Sequence, residues 1–152
     1  MEKIKVALIV GSKNDISYLD GAKETLESFG ISYDIKVLSA HRSLNETVKF
    51  AETAEEQGYG VIIACAGMAA HLPGVIAAKT ILPVIGVPLP TSEIKGIDSL
   101  MSMVQMPSGV PVAVMAIGKA GVKNAAIFAA SILSLQEDNI KMRLNKFKED
   151  LK

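Results

Sequence analysis

Three short stretches hold both histidines and the most chemically loaded residues of this sequence. They are Gly11-Ser12-Lys13-Asn14-Asp15, Ser39-Ala40-His41-Arg42 and Ala66-Gly67-Met68-Ala69-Ala70-His71-Leu72-Pro73-Gly74. If a helix starts in the first, its unpaired backbone N–H groups and dipole attract negative charge, and Ser12 adds a hydroxyl donor. Ordinary capping by Asn14 or Asp15, with Gly11 as the turn residue, fits those residues equally well. Neither G-x-x-x-x-G-K-[ST] nor G-x-G-x-x-G occurs, which removes the triphosphate loop and the dinucleotide fingerprint. In the second stretch a guanidinium suits bidentate phosphate recognition, and an imidazole beside it can exchange protons near neutral pH. The plain alternative there is a solvated loop with Arg42 paired to Glu46. In the third, small residues let the backbone approach a ligand and offer N–H donors, while His71 is equally placed to cap a helix at Leu72-Pro73. Cys65 reads as a buried small hydrophobe. Met101, Met103, Met106 and Met115 read as core or subunit-interface packing.

The elements that must position these stretches alternate. Residues 4–10 are a β-rich run ending in Gly11-Ser12. Apolar residues at 16, 19, 22, 26 and 29 have helical spacing, and Gly30 follows as a stop. Residues 31–38 read as a second strand. Ser43-Leu44-Asn45-Glu46 is a capping box for a helix with Leu44, Val48 and Ala51 on one face and Gly58 at its end. Residues 60–66 form a continuously apolar third strand, expected at the centre of a sheet. A helix over 72–79, a strand over 84–87 and a loop through Pro88 and Pro90 follow. Then come a helix over 97–104, a strand over 112–117, and a nearly all-round apolar helix over 122–135. The last helix carries Ile140, Leu144, Phe147 and Leu151 on one stripe. Strand–helix alternation implies a parallel sheet covered on both faces. The expected fold is α/β: a flavodoxin-like three-layer sandwich whose five-stranded parallel sheet has the order 2-1-3-4-5, with an extra C-terminal helix. In that order strands 1 and 3 diverge at the switch point, where ligands bind beyond the strands' carboxyl ends. All three chemically loaded stretches fall there.

Composition removes several classes. The 152 residues predict one domain, residues 1–152, and 49% apolar content with a mean hydropathy of +0.33 is enough for a sizeable core. Sixteen basic residues balance sixteen acidic ones, which disfavours a nucleic-acid partner bound through phosphate neutralisation. The longest apolar stretch, residues 125–135, has eleven residues including two serines, short of the roughly 18 that a membrane span needs. The charged Met1-Glu2-Lys3 start leads straight into a strand, so no signal peptide is expected. One cysteine fits a reducing cytoplasm, and two histidines with one cysteine cannot assemble a His/Cys metal cluster.

The three stretches, taken in this order, resemble the N5-carboxyaminoimidazole ribonucleotide mutases of purine biosynthesis. Val104-Gln105-Met106-Pro107-Ser108-Gly109-Val110-Pro111-Val112 and Ala116-Ile117-Gly118-Lys119-Ala120-Gly121 extend the resemblance over residues 4–135. The family usually has serine at the position of Asn14, a replacement that keeps a hydrogen-bonding side chain. The resemblance implies interconversion of N5-carboxyaminoimidazole ribonucleotide and its C4-carboxylated isomer, without metal, ATP, biotin or other cofactor. It implies His41 as general acid/base and His71 as a secondary participant. The 67–71 backbone would line the path of the migrating carboxylate. Among the substrate contacts, Ser12 and Arg42 fall to the phosphate and Asp15 to the ribose hydroxyls, with Ser39, Gly67 and Ala70 completing the set. A homo-octamer is implied as well, with no nucleic-acid or membrane partner. Independently, the apolar helix over 122–135 would leave a large patch uncovered in an isolated subunit. Two other functions stay open: a carboxylase that takes CO2 from solution, and a non-catalytic flavodoxin-like binding module. A receiver-type module would need an acceptor Asp at the end of strand 3, where this chain has Cys65-Ala66-Gly67.

Overall fold

The computed structural model describes residues 4–152, so the Met1-Glu2-Lys3 start lies outside the described residues. Five parallel strands, β1 (Lys5–Val10), β2 (Tyr33–Val37), β3 (Tyr59–Gly67), β4 (Val84–Leu89) and β5 (Ala113–Val114), pair in the order β2-β1-β3-β4-β5. This is the expected order with the expected central strand. Among the described residues six α-helices accompany the strands: α1 (Asp20–Ser28), α2 (Leu44–Thr53), α3 (Leu72–Ala77), α4 (Ile97–Val104), α5 (Lys119–Leu133) and α6 (Asp138–Asp150).

Two-residue alternation in β1, β3 and β4 builds a core on each face of the sheet. Val6, Leu8, Val10, Ile63, Cys65, Val87 and Leu89 meet α1, α5 and α6. Ala7, Ile9, Ile62, Ala64 and Ala66 turn the other way, toward α2, α3 and α4. No helix is long and apolar enough to cross a membrane among the described residues.

Several expected boundaries shift, each for a local reason. The helix expected from Asp15 begins as a 3-10 stretch, Lys13–Leu19, whose first turn is closed by Asp15 N–H donating to the Ser12 carbonyl at 3.0 Å. Gly30 stops α1 as expected, at φ +70°, a conformation open to a residue without a Cβ. The capping box does not form. Ser43 is the N-cap of α2 but makes no side-chain cap bond, its hydroxyl being turned back onto Ser39. The buried stripe of α2 is Thr47, Phe50 and Ala51, so the expected Leu44–Val48–Ala51 face is wrong by a rotation, and Leu44 is half exposed. α2 itself stops at Thr53, short of the expected Gly58.

Pro88, expected in a loop, is inside β4. Proline is tolerated in a ladder only where its missing N–H is not called for, and the regular pairing of β5 with β4 ends at Gly86. β5 is correspondingly shorter than expected. Met115 N–H donates to the Gly86 carbonyl and Gly118 N–H to the Pro88 carbonyl, so three residue steps on one chain oppose two on the other. On α6, Ile140, Leu144 and Phe147 pack onto the core as expected, and Phe147 meets Phe29 edge to face at 5.6 Å. Leu151 lies beyond the helix and is exposed, so it leaves the stripe.

Candidate active site

The loops after β1, β2 and β3 converge at the carboxyl ends of the strands, around a cavity of about 550 Å³. Gly11, Ser39, His41, Arg42, Gly67, Met68 and His71 are on its walls. The two histidines, thirty residues apart in sequence, meet here: His41 Nε2 lies 2.8 Å from His71 Nδ1, and the rings stand at 87° to each other. At that distance one nitrogen donates and the other accepts, so a single proton lies on the line between them. His71 is the N-cap residue of α3, but its side chain makes no cap bond and is committed to His41. The capping alternative is thereby set aside.

Each loop is held by its own short bonds. After β2, Ser43 Oγ accepts from Ser39 N–H at 2.9 Å, and Ser39 Oγ accepts from Arg42 N–H at 3.1 Å. Thr47, fully buried, donates to the Ser43 carbonyl at 2.9 Å. The 39–43 segment is thus a closed turn that presents His41 and Arg42 outward. The Arg42 guanidinium makes one long contact, Nη2 to the Gly11 carbonyl at 3.5 Å, and among the described residues it forms no ion pair with Glu46. Most of its donors are therefore available to a ligand.

Ser12 and Asp15 stand on the 3-10 turn next to Gly11, beside the cavity wall rather than on it. Ser12 Oγ accepts from Asn14 N–H at 3.3 Å, leaving its own proton free to donate. Burial pushes the Asp15 carboxyl above its ordinary value, and the Arg42 charge opposes that rise. Partly buried carboxylates held against desolvation are a mark of functional sites. Cys65, fully buried on β3 behind the site, has its thiol pushed up to about 12 by burial and, secondarily, by the Asp15 charge.

The loop after β3 is the tightest of the three. A Cβ on Gly67 would collide with the Thr91 hydroxyl, so only glycine fits there. Met68 takes φ +54°, a strained conformation for a residue with a side chain, and is largely exposed. Ala70, expected to touch substrate, is buried, and its N–H donates to Ser102 Oγ at 2.9 Å. His71 N–H donates to the Ala69 carbonyl at 2.9 Å. Thr91 and Ser102 are not among the expected site residues, and Ser43, expected only as a cap, bonds Ser39 instead. Ser102 had a visible signal, a polar residue inside the apolar run of α4, whereas nothing in the sequence marked Thr91.

Comparison with known proteins gives consistent matches. The family model described as AIR carboxylase matches residues 5–152. An N5-carboxyaminoimidazole ribonucleotide mutase of Saccharolobus solfataricus is 52% identical over 148 residues, covering 97% of this chain and 92% of that protein. The protein of the same name from Escherichia coli K12 is 50% identical over 145 residues, covering 95% and 86%. The crystal structure of Treponema denticola PurE superposes with a TM-score of 0.88 at 28% identity, covering 97% of this chain and 91% of that one.

Proposed function

The chain belongs to the AIR carboxylase family, and from this premise we infer that it interconverts N5-carboxyaminoimidazole ribonucleotide and its C4-carboxylated isomer in purine biosynthesis. Relatives at about half identity over nearly the whole chain bear the name of that mutase. The observation that carries the mechanism is the 2.8 Å contact between His41 and His71 beside the cavity lined by Arg42 and the 66–69 segment.

The chemistry follows from placing the substrate's phosphate at Arg42 and Ser12 and its ribose at Asp15. His41 gives a proton to N5 as the carbamate N–C bond breaks, the electron pair going to nitrogen and CO2 departing. C4 of the aminoimidazole then attacks CO2, a C–C bond forms, and His41 takes back the proton that C4 releases. One proton enters and one leaves, so the atoms balance with no oxidant, metal or nucleoside triphosphate drawn in. His71, bonded to the other side of the exchange, fixes the orientation and tautomer of His41. Confinement by the 67–71 backbone, with Ser39 beneath, makes recapture of CO2 an intramolecular event.

A product assay in labelled bicarbonate tests this. Started from unlabelled carbamate, early product should carry little label, because the transferred carboxyl is the one the substrate brought. The assay must be short and include a no-enzyme control, since the carbamate is labile. Label at stoichiometric level from the first turnover would move the protein to the carboxylase reaction.

The active form proposed is a homo-octamer, working in the cytoplasm as one domain over residues 1–152. An apolar groove of about 440 Å³ supports assembly, lined by Ile81, Pro83, Pro111, Phe128 and Ile132, with Ile81 almost wholly exposed. Sedimentation is expected to give an assembly at micromolar concentration, and a stable monomer would contradict it.

Asp15 supplies a test in which stability and function move oppositely. A carboxyl whose folded value is raised binds its proton more tightly in the fold than in the open chain. Its ionised form therefore costs stability, a cost that is present at neutral pH and fades as the group is protonated. Asp15→Asn is expected to melt no lower than the wild type at pH 7, to lose that parity or advantage toward about pH 3, and to bind ribonucleotide more weakly. A variant that melts lower at pH 7 while binding normally would give Asp15 a structural role instead.

A further inference from the structure

We propose that Ser102, on α4 and outside the cavity wall, is a positioning residue for the carboxyl transfer inferred above. Its hydroxyl is the only side-chain group among the described residues that bonds the 68–70 segment. Ser102 Oγ accepts from Ala70 N–H at 2.9 Å, and its own proton goes to the Asp98 carbonyl at 2.7 Å, within its own helix. The Met68 carbonyl lies 3.4 Å from the same oxygen. The hydroxyl therefore rivets the loop after β3 to a helix at the point where the loop is strained, next to Met68 at φ +54°. Such a conformation persists only where surrounding contacts hold it.

The rivet also decides which amides face the chemistry. With Ala70 N–H spent on Ser102 and His71 N–H on the Ala69 carbonyl, the amides of Met68 and Ala69 take no partner among the described residues. Both residues line the cavity. Loss of the hydroxyl frees Ala70 N–H and lets Met68 relax toward negative φ. The wall that confines CO2 and the seat of His71 then loosen together, while Arg42, Ser12 and Asp15, on other loops, keep their grip on the ribonucleotide.

Ser102→Ala, compared with the wild type in the labelled-bicarbonate assay, separates positioning from mere support of the fold. The expected result is kcat lowered roughly tenfold to a hundredfold, KM nearly unchanged, and more CO2 escaping per turnover. Escape is read as label in product or as accumulated aminoimidazole ribonucleotide. A structural role alone would lower the melting temperature and the yield of folded enzyme but leave CO2 retention per turnover as in the wild type, and that outcome overturns the proposal. So does a variant with wild-type kcat and retention. Amide hydrogen exchange on the wild type gives a reading that does not depend on the variant folding: Ala70 N–H should be protected, and exchange at the rate of a free loop amide would sink the idea. The proposal rests on the mutase reaction, and the wild-type control keeps the two apart. A wild type without turnover removes both, whereas normal wild-type turnover with an unaffected variant removes Ser102 alone.

Discussion

His41→Asn is expected to lose turnover by roughly 10²–10⁴-fold, the span that a positioned acid/base contributes, while folding normally and still binding the ribonucleotide. The imidazole is exposed on the 39–43 turn, and that turn is closed by Ser39, Ser43 and Thr47 without help from the ring. Removing the ring therefore costs the fold little. Asparagine keeps a polar group near His71 Nδ1 but has no group that both gives and takes a proton near neutral pH. Anchoring is left to Arg42, Ser12 and Asp15, so a phosphate-bearing product should bind with almost unchanged affinity. Equal melting curves, equal binding and lost turnover form the expected triple. Near-normal turnover would sink the assignment of His41.

Arg42→Ala is expected to weaken ribonucleotide binding by ~1.5–3 kcal/mol, the range for a charge-assisted hydrogen bond to phosphate. That corresponds to roughly ten- to 150-fold in affinity. The guanidinium gives up little when a phosphate arrives, because its one contact to the Gly11 carbonyl is long. An analogue without the phosphate should lose far less, and equal losses for both ligands would show that Arg42 does not read phosphate. The variant also removes the charge that opposes the upward push on Asp15. Losses from Arg42→Ala and Asp15→Asn should accordingly fail to add, as expected of residues that sense each other's charge.

The sheet order and the three site loops were legible because they rest on signals that tertiary packing reinforces. β3 is apolar without interruption because it is central and covered on both faces, and helix-stop residues such as Gly30 act where they stand. The sequence could not reveal competition among polar groups. Ser43 and Glu46 have capping-box spacing, yet Ser39 offers the Ser43 hydroxyl both a donor and an acceptor. Apolar spacing in α2 admits two faces, and the one chosen buries Phe50 against Tyr59, at 5.5 Å between ring centroids, and leaves Leu44 half exposed. Proline within β4 was unreadable because its tolerance depends on where the neighbouring edge strand stops pairing. For the site, both histidines and Arg42 were visible by residue type and position. Ser102 reaches Ala70 across 32 residues of chain and Thr91 reaches Gly67 across 24, through a loop whose path only the fold defines.

Cys65 stands between Val10 and Val87 in the sheet, without solvent exposure, and with its thiol pushed up to about 12 the ionised fraction at pH 7 is on the order of one in 10⁵. Peroxides, alkylating agents and disulfide exchange all work through the thiolate, so the sulfur directly behind the site is nearly inert while the sheet stays closed. The same desolvation that packs β3 thus keeps the Cys65 sulfur from oxidants. Met68, exposed on the cavity wall, is the sulfur beside the site that peroxides can reach.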